Sequence, residues 1–496
     1  MIFKKSFFFK EFKVEINLSN LQYQNKNIFI FGSAIYDDFS KLNKKNIKNK
    51  AKELTGYFFI IVINKDSIEC ITDVAANNRV YYYKNKKNLQ IFDDQTFDSS
   101  LKHKVKIVDK NYFNFFLEKN FTPGDETYFK NIKKFQPCTY YNISNKLHLV
   151  KKIYFPNNIN KPNIRSCKKE INTYFKNQFK NIRNEKVILL FSGGLDSLFL
   201  FKMLKLNNIE FSCAYFYSFP SSFETEHYKK KVKGICNEED IFLDLIEVNT
   251  KKLLPILKFI RSKMQFNYHL SLLFLRGVQS LKKRYGKNIL LISGQSCDSI
   301  LSFGPSQLTK ANFVARFLNI YPFNFISKLM VSVLNMKFNK DLRNPRTNIN
   351  FYESFFFNFF YYPLIYSTNF KKKDIITSII NNIGHIKDKY SKMLFLKSFG
   401  FLQGPDNMVL IKSANEFGIH KVYYPFASYK FISIISKYYN FKLDLFYPKY
   451  ILKVICKKYI YLNPFRSTFN IYLSHIDNKL KKKYINHLMK KYEIKN

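Results

Sequence analysis

Apolar positions along this chain follow two regimes. Up to about residue 155 they gather in short aromatic and β-branched runs, Tyr57–Ile63 (YFFIIVI) and Val80–Tyr83, with a short alternating stretch at Leu89–Phe92. Thr139–Ile143 and Leu147–Val150, parted by Ser144-Asn145-Lys146, read as a late hairpin. These runs predict a layered, β-rich unit. Past Pro156 and Pro162 the period changes: Ile171, Tyr174, Phe175, Phe179 and Ile182 recur at helical spacing on one face. Strand-length runs then alternate with helical ones. Val187–Phe191, Phe211–Tyr217, Ile241–Val248 and Ile289–Ile292 read as strands, with helices after the first, near Glu224–Ile235 and around Leu270–Tyr285. That alternation predicts an α/β unit around a doubly wound parallel sheet, whose ligands bind beyond the carboxyl ends of the strands. Residues 305–400 are aromatic-rich and read as helical at Phe313–Leu318 and Tyr352–Tyr366, and the C-terminal tail reads as a basic amphipathic helix. Two domains are expected, 1–155 and 156–496.

The stretch with chemical content is VILLFSGGLDSLFLFKML, Val187 to Leu204. An apolar strand runs into Ser192-Gly193-Gly194 and then into a helix whose buried face would carry Leu198, Phe199, Phe201 and Leu204. Such a turn suits phosphate: glycines let the backbone approach, amide N–H groups point outward, and a helix N-terminus favours negative charge. Ser192 and Ser197 add hydroxyls. Asp196 would repel phosphate unless Mg²⁺ stood between them. Neither GxxxxGK[ST] nor a convincing GxGxxG is present.

Charge and cysteines change the picture less than their counts suggest. The 496 residues carry 82 Lys+Arg against 36 Asp+Glu, a net charge of +46. Lys, Asn, Ile, Phe and Tyr are abundant throughout and Trp is absent, as an AT-rich genome would produce. The basic residues are spread along the chain instead of forming a stripe, so no nucleic-acid partner is expected. Cysteines 70, 138, 167, 213, 236, 297 and 456 form no CxxC or Cys/His cluster, which predicts reduced thiols, a cytoplasmic setting and no structural zinc. No signal h-region is expected in MIFKKSFFFKEF. No membrane span is expected either: Ser354–Phe370 is uncharged but interrupted by Asn358 and Pro363.

SGGLDS resembles the pyrophosphate-binding loop (SGGxDS) of the ATP pyrophosphatase superfamily, and the resemblance widens along the chain. Leu54–Tyr83 is similar to the glutaminase-type N-terminal domain of asparagine synthetases, with Leu54, Gly56, Phe58, Asp73 and Tyr82 on its pattern. Ile132–Tyr141 resembles that family's Pro-Gly segment, with Cys138 in place of Gly. LISGQSCDSIL resembles SGEGADELF: Ser293, Gly294 and Asp298 match, while Gln295, Cys297 and Ser299 replace Glu, Ala and Glu. Asp406, Met408, Pro425 and Phe426 match two further segments, in which Lys421 and Tyr423 replace Glu and Arg. In PKYILKVICKKYI, Lys449 falls on the family lysine and Lys453 on its arginine.

The resemblance implies an Ntn-type sandwich followed by an adenine nucleotide α-hydrolase-like synthetase domain with added helices. It implies ATP as cosubstrate, with Ser192, Gly193, Gly194, Asp196, Ser197, Ser293 and Gly294 around the nucleotide. Asp196 and Asp298 would hold Mg²⁺, and Lys449 would neutralise the separating phosphates. The family's glutaminase nucleophile is a cysteine at position 2, freed by removal of Met1. Here that residue is Ile2, and Cys70 falls inside a predicted strand as a core residue, so no glutaminase activity is expected. Gln295 is a neutral amide and cannot act as a general base. The function implied is an AMP-forming carbon–nitrogen ligase that joins a small-molecule or peptide carboxylate to ammonia or an amine, the ammonia free or passed from a partner amidotransferase. An intramolecular cyclase like β-lactam synthetases and lasso-peptide cyclases, an inactive scaffold and a tRNA-modifying enzyme stand as alternatives.

Overall fold

The computed structural model describes residues 2–9, 12–101, 106–119, 122, 124–144, 149–218, 223–248, 272–301, 386, 391, 394–395, 405–440, 449–456 and 471–492. The segments expected to be helical at 313–318 and 352–366, and the apolar stretch 354–370, lie outside these residues.

Among the described residues, eleven strands make up the first part of the chain: β1 (Ile2–Phe8), β2 (Lys13–Ser19), β3 (Leu21–Gln24), β4 (Ile28–Ile35), β5 (Thr55–Ile63), β6 (Ser67–Thr72), β7 (Val80–Lys84), β8 (Asn88–Asp93), β9 (Ile132–Lys134), β10 (Thr139–Ser144) and β11 (Leu149–Ile153). They form two sheets, ordered β1-β2-β8-β7-β9 and β11-β10-β6-β5-β4-β3. The pairing is antiparallel apart from β2 with β8. Val14, Ile16, Leu89 and Ile91 of one sheet bury against Phe29, Phe31, Phe59 and Ile61 of the other. Cys70 is fully buried in that same layer, and burial pushes its thiol far above the ordinary range. The reading of Cys70 as a core residue therefore agrees with its surroundings. Ile2 opens the edge strand β1 and is half exposed.

Among the described residues, the second part is built on five parallel strands in the order β14-β13-β12-β15-β16, with β12 (Val187–Leu190), β13 (Phe211–Ser218), β14 (Leu243–Val248), β15 (Leu290–Ile292) and β16 (Lys421–Tyr423). The chain winds from β12 toward β14 on one side and returns to place β15 and β16 on the other. The order reverses between β12 and β15, and in open α/β sheets the crevice beyond the strand ends at such a point is where ligands bind. Leu189 of β12 is level with Ile292 of β15, which is level with Tyr423 of β16, so these strands end together.

The helix Ile164–Lys180 joins the two parts. Asn163 caps it, its side chain accepting from the Ser166 N–H at 2.9 Å. Ile171, Tyr174, Phe175 and Phe179 are buried as their spacing predicts, and Ile182 is buried just past its end. Gln178, on the same helix, accepts from Thr55 Oγ1 of β5 at 2.7 Å. Tyr57 of β5 donates to the His420 carbonyl at 3.1 Å, and Lys412 of the helix Pro405–Glu416 pairs with the buried Asp94 beside β8. One apolar cluster runs from Ile30 and Tyr57 through Ile171 and Phe175 to Leu189 and Phe426.

The stretch between Pro156 and Pro162 is tied down as well. Asn158 donates to Ser433 Oγ at 2.9 Å, Asn160 to the Ser436 carbonyl at 2.8 Å, and the Lys161 N–H to the Lys437 carbonyl at 2.7 Å. The tail is the helix Ile471–Lys491. No helix among the described residues is long and apolar enough to cross a membrane. All seven cysteines are buried and free.

Candidate active site

The strand β12 ends in a turn that only its sequence permits. Gly193 has φ +72°, and a Cβ there would meet Val232 Cγ2 at 3.0 Å. Gly194 caps the helix Leu195–Leu206 without a side chain, so no capping side chain occupies the first N–H groups of that helix. The hydroxyls knit the turn. Ser197 Oγ donates to the Gly194 carbonyl at 3.0 Å and lies 3.2 Å from Ser192 Oγ, which accepts from the Gly194 N–H at 3.3 Å. The result is a short anion-facing cradle with Asp196 in its first helical turn.

The loop after β15 closes against it. The Ser293 N–H donates to the Tyr423 carbonyl at 3.1 Å, and Ser293 Oγ accepts from the Gln295 N–H at 3.3 Å. A Cβ on Gly294 would stand 3.0 Å from Asp196 Cβ and 3.2 Å from the Ser197 nitrogen, so glycine lets the two loops touch. Asp298 lies in the first turn of the short helix Cys297–Leu301 with 66 % of its side chain exposed, which leaves the crevice open to solvent on that side.

Lys449 binds the two loops together. Its ammonium lies 2.6 and 2.7 Å from the two Asp196 oxygens and 2.6 Å from Asp298 Oδ1. Burial opposes the charge on Lys449, but Asp196 and Asp298 outweigh it and raise its pKa far above the usual lysine range. Burial raises Asp196, and the lysine opposes that rise. Lys449 has φ +57° and ψ +32°, left-handed for a residue that is not glycine, directly before the helix Tyr450–Ile455. That helix is anchored at its far end, where Lys202 Nζ donates to the Ile455 carbonyl at 2.7 Å.

Ser192, Gly193, Gly194, Asp196, Ser197, Ser293, Gly294, Asp298 and Lys449 thus lie in one crevice, at the point where the strand order reverses. Other positions singled out in the sequence lie elsewhere. Lys421 opens β16 at the opposite end of the sheet, paired with Glu185 at 2.6 Å. The Tyr423 hydroxyl is buried beside Tyr174 and Gln178, and Phe426 packs against Phe175, Phe199 and Phe431. Asp406 and Met408 fall in the helix Pro405–Glu416, with side chains outside the described residues. Sequence reasoning passed over Ser296, which has φ +73° and a buried hydroxyl with no hydrogen-bond partner among the described residues. The signal was available, because the resembling segment carries glycine there.

Two carboxylates meeting on one cation-sized point fit Mg²⁺, which takes one or two protein carboxylates and completes its octahedron with phosphate and water oxygens. The lysine ammonium acts as a stand-in cation at that point. Among the described residues no group of three or more His, Cys, Asp or Glu is placed to hold a metal ion.

No protein-family profile matches the chain, and no curated protein matches its sequence. Solved structures similar to parts of it include an NMN synthetase from Francisella tularensis, at 11 % identity and a TM-score of 0.20 over 28 % of this chain and 58 % of that one. The chain thus spans under two thirds of that protein. The NH3-dependent NAD synthetase from Campylobacter jejuni subsp. jejuni NCTC 11168, in complex with the nitrate ion, has 21 % identity and a TM-score of 0.20 over 38 % of this chain and 90 % of that one. The glutamine phosphoribosylpyrophosphate amidotransferase from B. subtilis, complexed with ADP and GMP, has 8 % identity and a TM-score of 0.17 over 55 % of this chain and 56 % of that one.

Proposed function

We propose that this chain is an ATP-dependent, AMP-forming carbon–nitrogen ligase of asparagine synthetase type, without glutaminase activity of its own. The observation that carries the reading is the meeting of Asp196 and Asp298 on the Lys449 ammonium, in the crevice beyond the carboxyl ends of β12 and β15. In this reading residues 1–155 are a retired glutaminase-like domain and residues 156–496 the synthetase. Seven buried free thiols suit a reducing compartment, and we place the protein in the cytoplasm on that ground.

We read the roles of the residues from this geometry. Ser192, Gly193, Gly194 and Ser197 receive the ATP phosphates on the cradle at the helix N-terminus, with Ser293 and Gly294 closing the other side. Asp196 and Asp298 would hold Mg²⁺, which when bound would offset charge on the pyrophosphate leaving group. A substrate carboxylate oxygen attacks the α-phosphorus, the α–β bridging P–O bond breaks and pyrophosphate departs. Lys449 neutralises the charge that develops on the separating phosphates. Ammonia or an amine then attacks the acyl carbon and releases AMP. Position 295 supplies no carboxylate for the amine's proton, so that proton leaves by another group. Much of the first step is positioning and charge neutralisation.

The test is ATP–pyrophosphate exchange with Mg²⁺ and pooled carboxylates, covering aspartate, peptides, β-amino acids and uronic sugars. We expect exchange that depends on one pool and disappears in Asp196→Ala. Absence of exchange in every pool, with no Mg²⁺-ATP binding by calorimetry, would remove the ligase reading and leave a scaffold.

A further inference from the structure

The point between Asp196 and Asp298 holds a cation supplied by the chain. Lys449 Nζ lies within 2.7 Å of both Asp196 oxygens and 2.6 Å from Asp298 Oδ1. Mg²⁺ bound by the same two carboxylates would need roughly 2.0–2.1 Å to its ligand oxygens, so ammonium and metal cannot share the point. With the lysine in place, the carboxylates keep one surplus negative charge between them instead of two. Lys449 is also enclosed, with 14 % of its side chain exposed, while its backbone is held left-handed against an anchored helix. An exchange of cations here is therefore a swing of the four-carbon lysine stem, without movement of the helix.

We propose that the Lys449 ammonium is the resident cation of this site and excludes free divalent metal, so that metal enters only with a nucleoside triphosphate. The arriving phosphates lie beside the lysine, on the cradle formed by the Ser192–Ser197 turn. Their oxygens accept from the ammonium's three donors and draw it off the carboxylates. The metal, carried by the same phosphates, takes the vacated point. Metal and lysine exchange places in one step, and the two carboxylates face a cation throughout. Exclusion of free metal stands on the observed contacts alone, whereas the entry of metal with nucleotide rests on the ligase reading above.

The test is Mn²⁺ uptake by the full-length protein, followed by electron paramagnetic resonance, with and without a non-hydrolysable ATP. Without nucleotide, Lys449→Met is expected to bind Mn²⁺ more tightly than wild type by roughly tenfold or more, because the ammonium no longer competes with the metal for the two carboxylates. Adding Asp298→Asn to Lys449→Met should abolish the gain. Equal Mn²⁺ affinity in wild type and Lys449→Met would overturn the proposal. Lys449→Gln serves if the methionine variant fails to fold. Wild type supplies a further arm: Mn²⁺ should bind more tightly once the nucleotide is present, and equally tight binding without nucleotide would overturn the proposal with no substitution at all. Failure of the ligase reading looks different. Wild type would then bind no ATP analogue, while the Lys449 variants would still take up Mn²⁺.

Discussion

Gly294 shows how little room the crevice allows. Any Cβ would press on Asp196 Cβ and on the Asp196–Ser197 backbone at 3.0–3.2 Å, and backbone at a helix start has little freedom to give. Gly294→Ala should destabilise the protein by about 1–3 kcal/mol, as overpacking does. It should also abolish ATP–pyrophosphate exchange, since the loops carrying Asp196 and Asp298 are pushed apart; denaturant unfolding and the exchange assay check the two effects. Asp73 gives a prediction in pH. It is fully buried, and burial raises its pKa from 3.8 to about 6 against four backbone N–H donors, from Phe58, Ala75, Asn77 and Asn78. A carboxyl raised in the folded state contributes stability that is present below its unfolded pKa and lost as pH rises through the folded one. Wild-type stability relative to Asp73→Asn should therefore fall between pH 3.8 and about 6, by on the order of 3 kcal/mol. Denaturant midpoints of both proteins at several pH values measure it, and a flat difference would contradict the assignment.

Among the elements, the helix Ile164–Lys180 was the most legible. Its apolar spacing named the buried face, because a helix packed on one side shows that face directly in its period. Its start was legible too, once Asn163 is recognised as a cap. Asn163→Ala should cost about 1 kcal/mol through the lost bond to the Ser166 N–H, read as a lowered urea midpoint with an unchanged slope. The strands β12 to β15 were found within two residues of their ends, since runs buried on both faces stand out as continuous apolar stretches, whereas the three-residue β16 went unread. The strands β1 to β4 went unread. Edge strand β1 interleaves Lys4 and Lys5 with Phe3, Phe7 and exposed Phe8, and its pairing with β2, not its own pattern, makes it a strand. The late hairpin was placed two to three residues early in its second strand, which runs Leu149–Ile153.

At the scale of the whole molecule, two parts of different architecture share a core and a buried ion pair. Lys412 and Asp94 are 13 % and 4 % exposed and join the helix Pro405–Glu416 to the end of β8. Lys412→Met should cost about 3–5 kcal/mol by leaving Asp94 buried without its lysine, whereas Lys412→Met with Asp94→Leu should recover most of that loss. A thermal-unfolding double-mutant cycle gives the coupling, and additive losses would show that the pair does not tie the parts together. Nothing in the sequence paired these residues, which are more than 300 positions apart.

The sequence by itself determined the two regimes of secondary structure and the strand–turn–helix at Ser192. It also named the residue types suited to phosphate and Mg²⁺, because period, glycine and carboxylate are local properties. Only the tertiary structure decided which of those residues meet. It brought the loops after β12 and β15 together where the strand order reverses and set the Lys449 ammonium between their carboxylates. It also kept the side chains of Lys421 and Tyr423 away from the site, at the far end of a strand and in the core. Those contacts follow from how the chain winds around a sheet, and strand order is not written in any short stretch of residues.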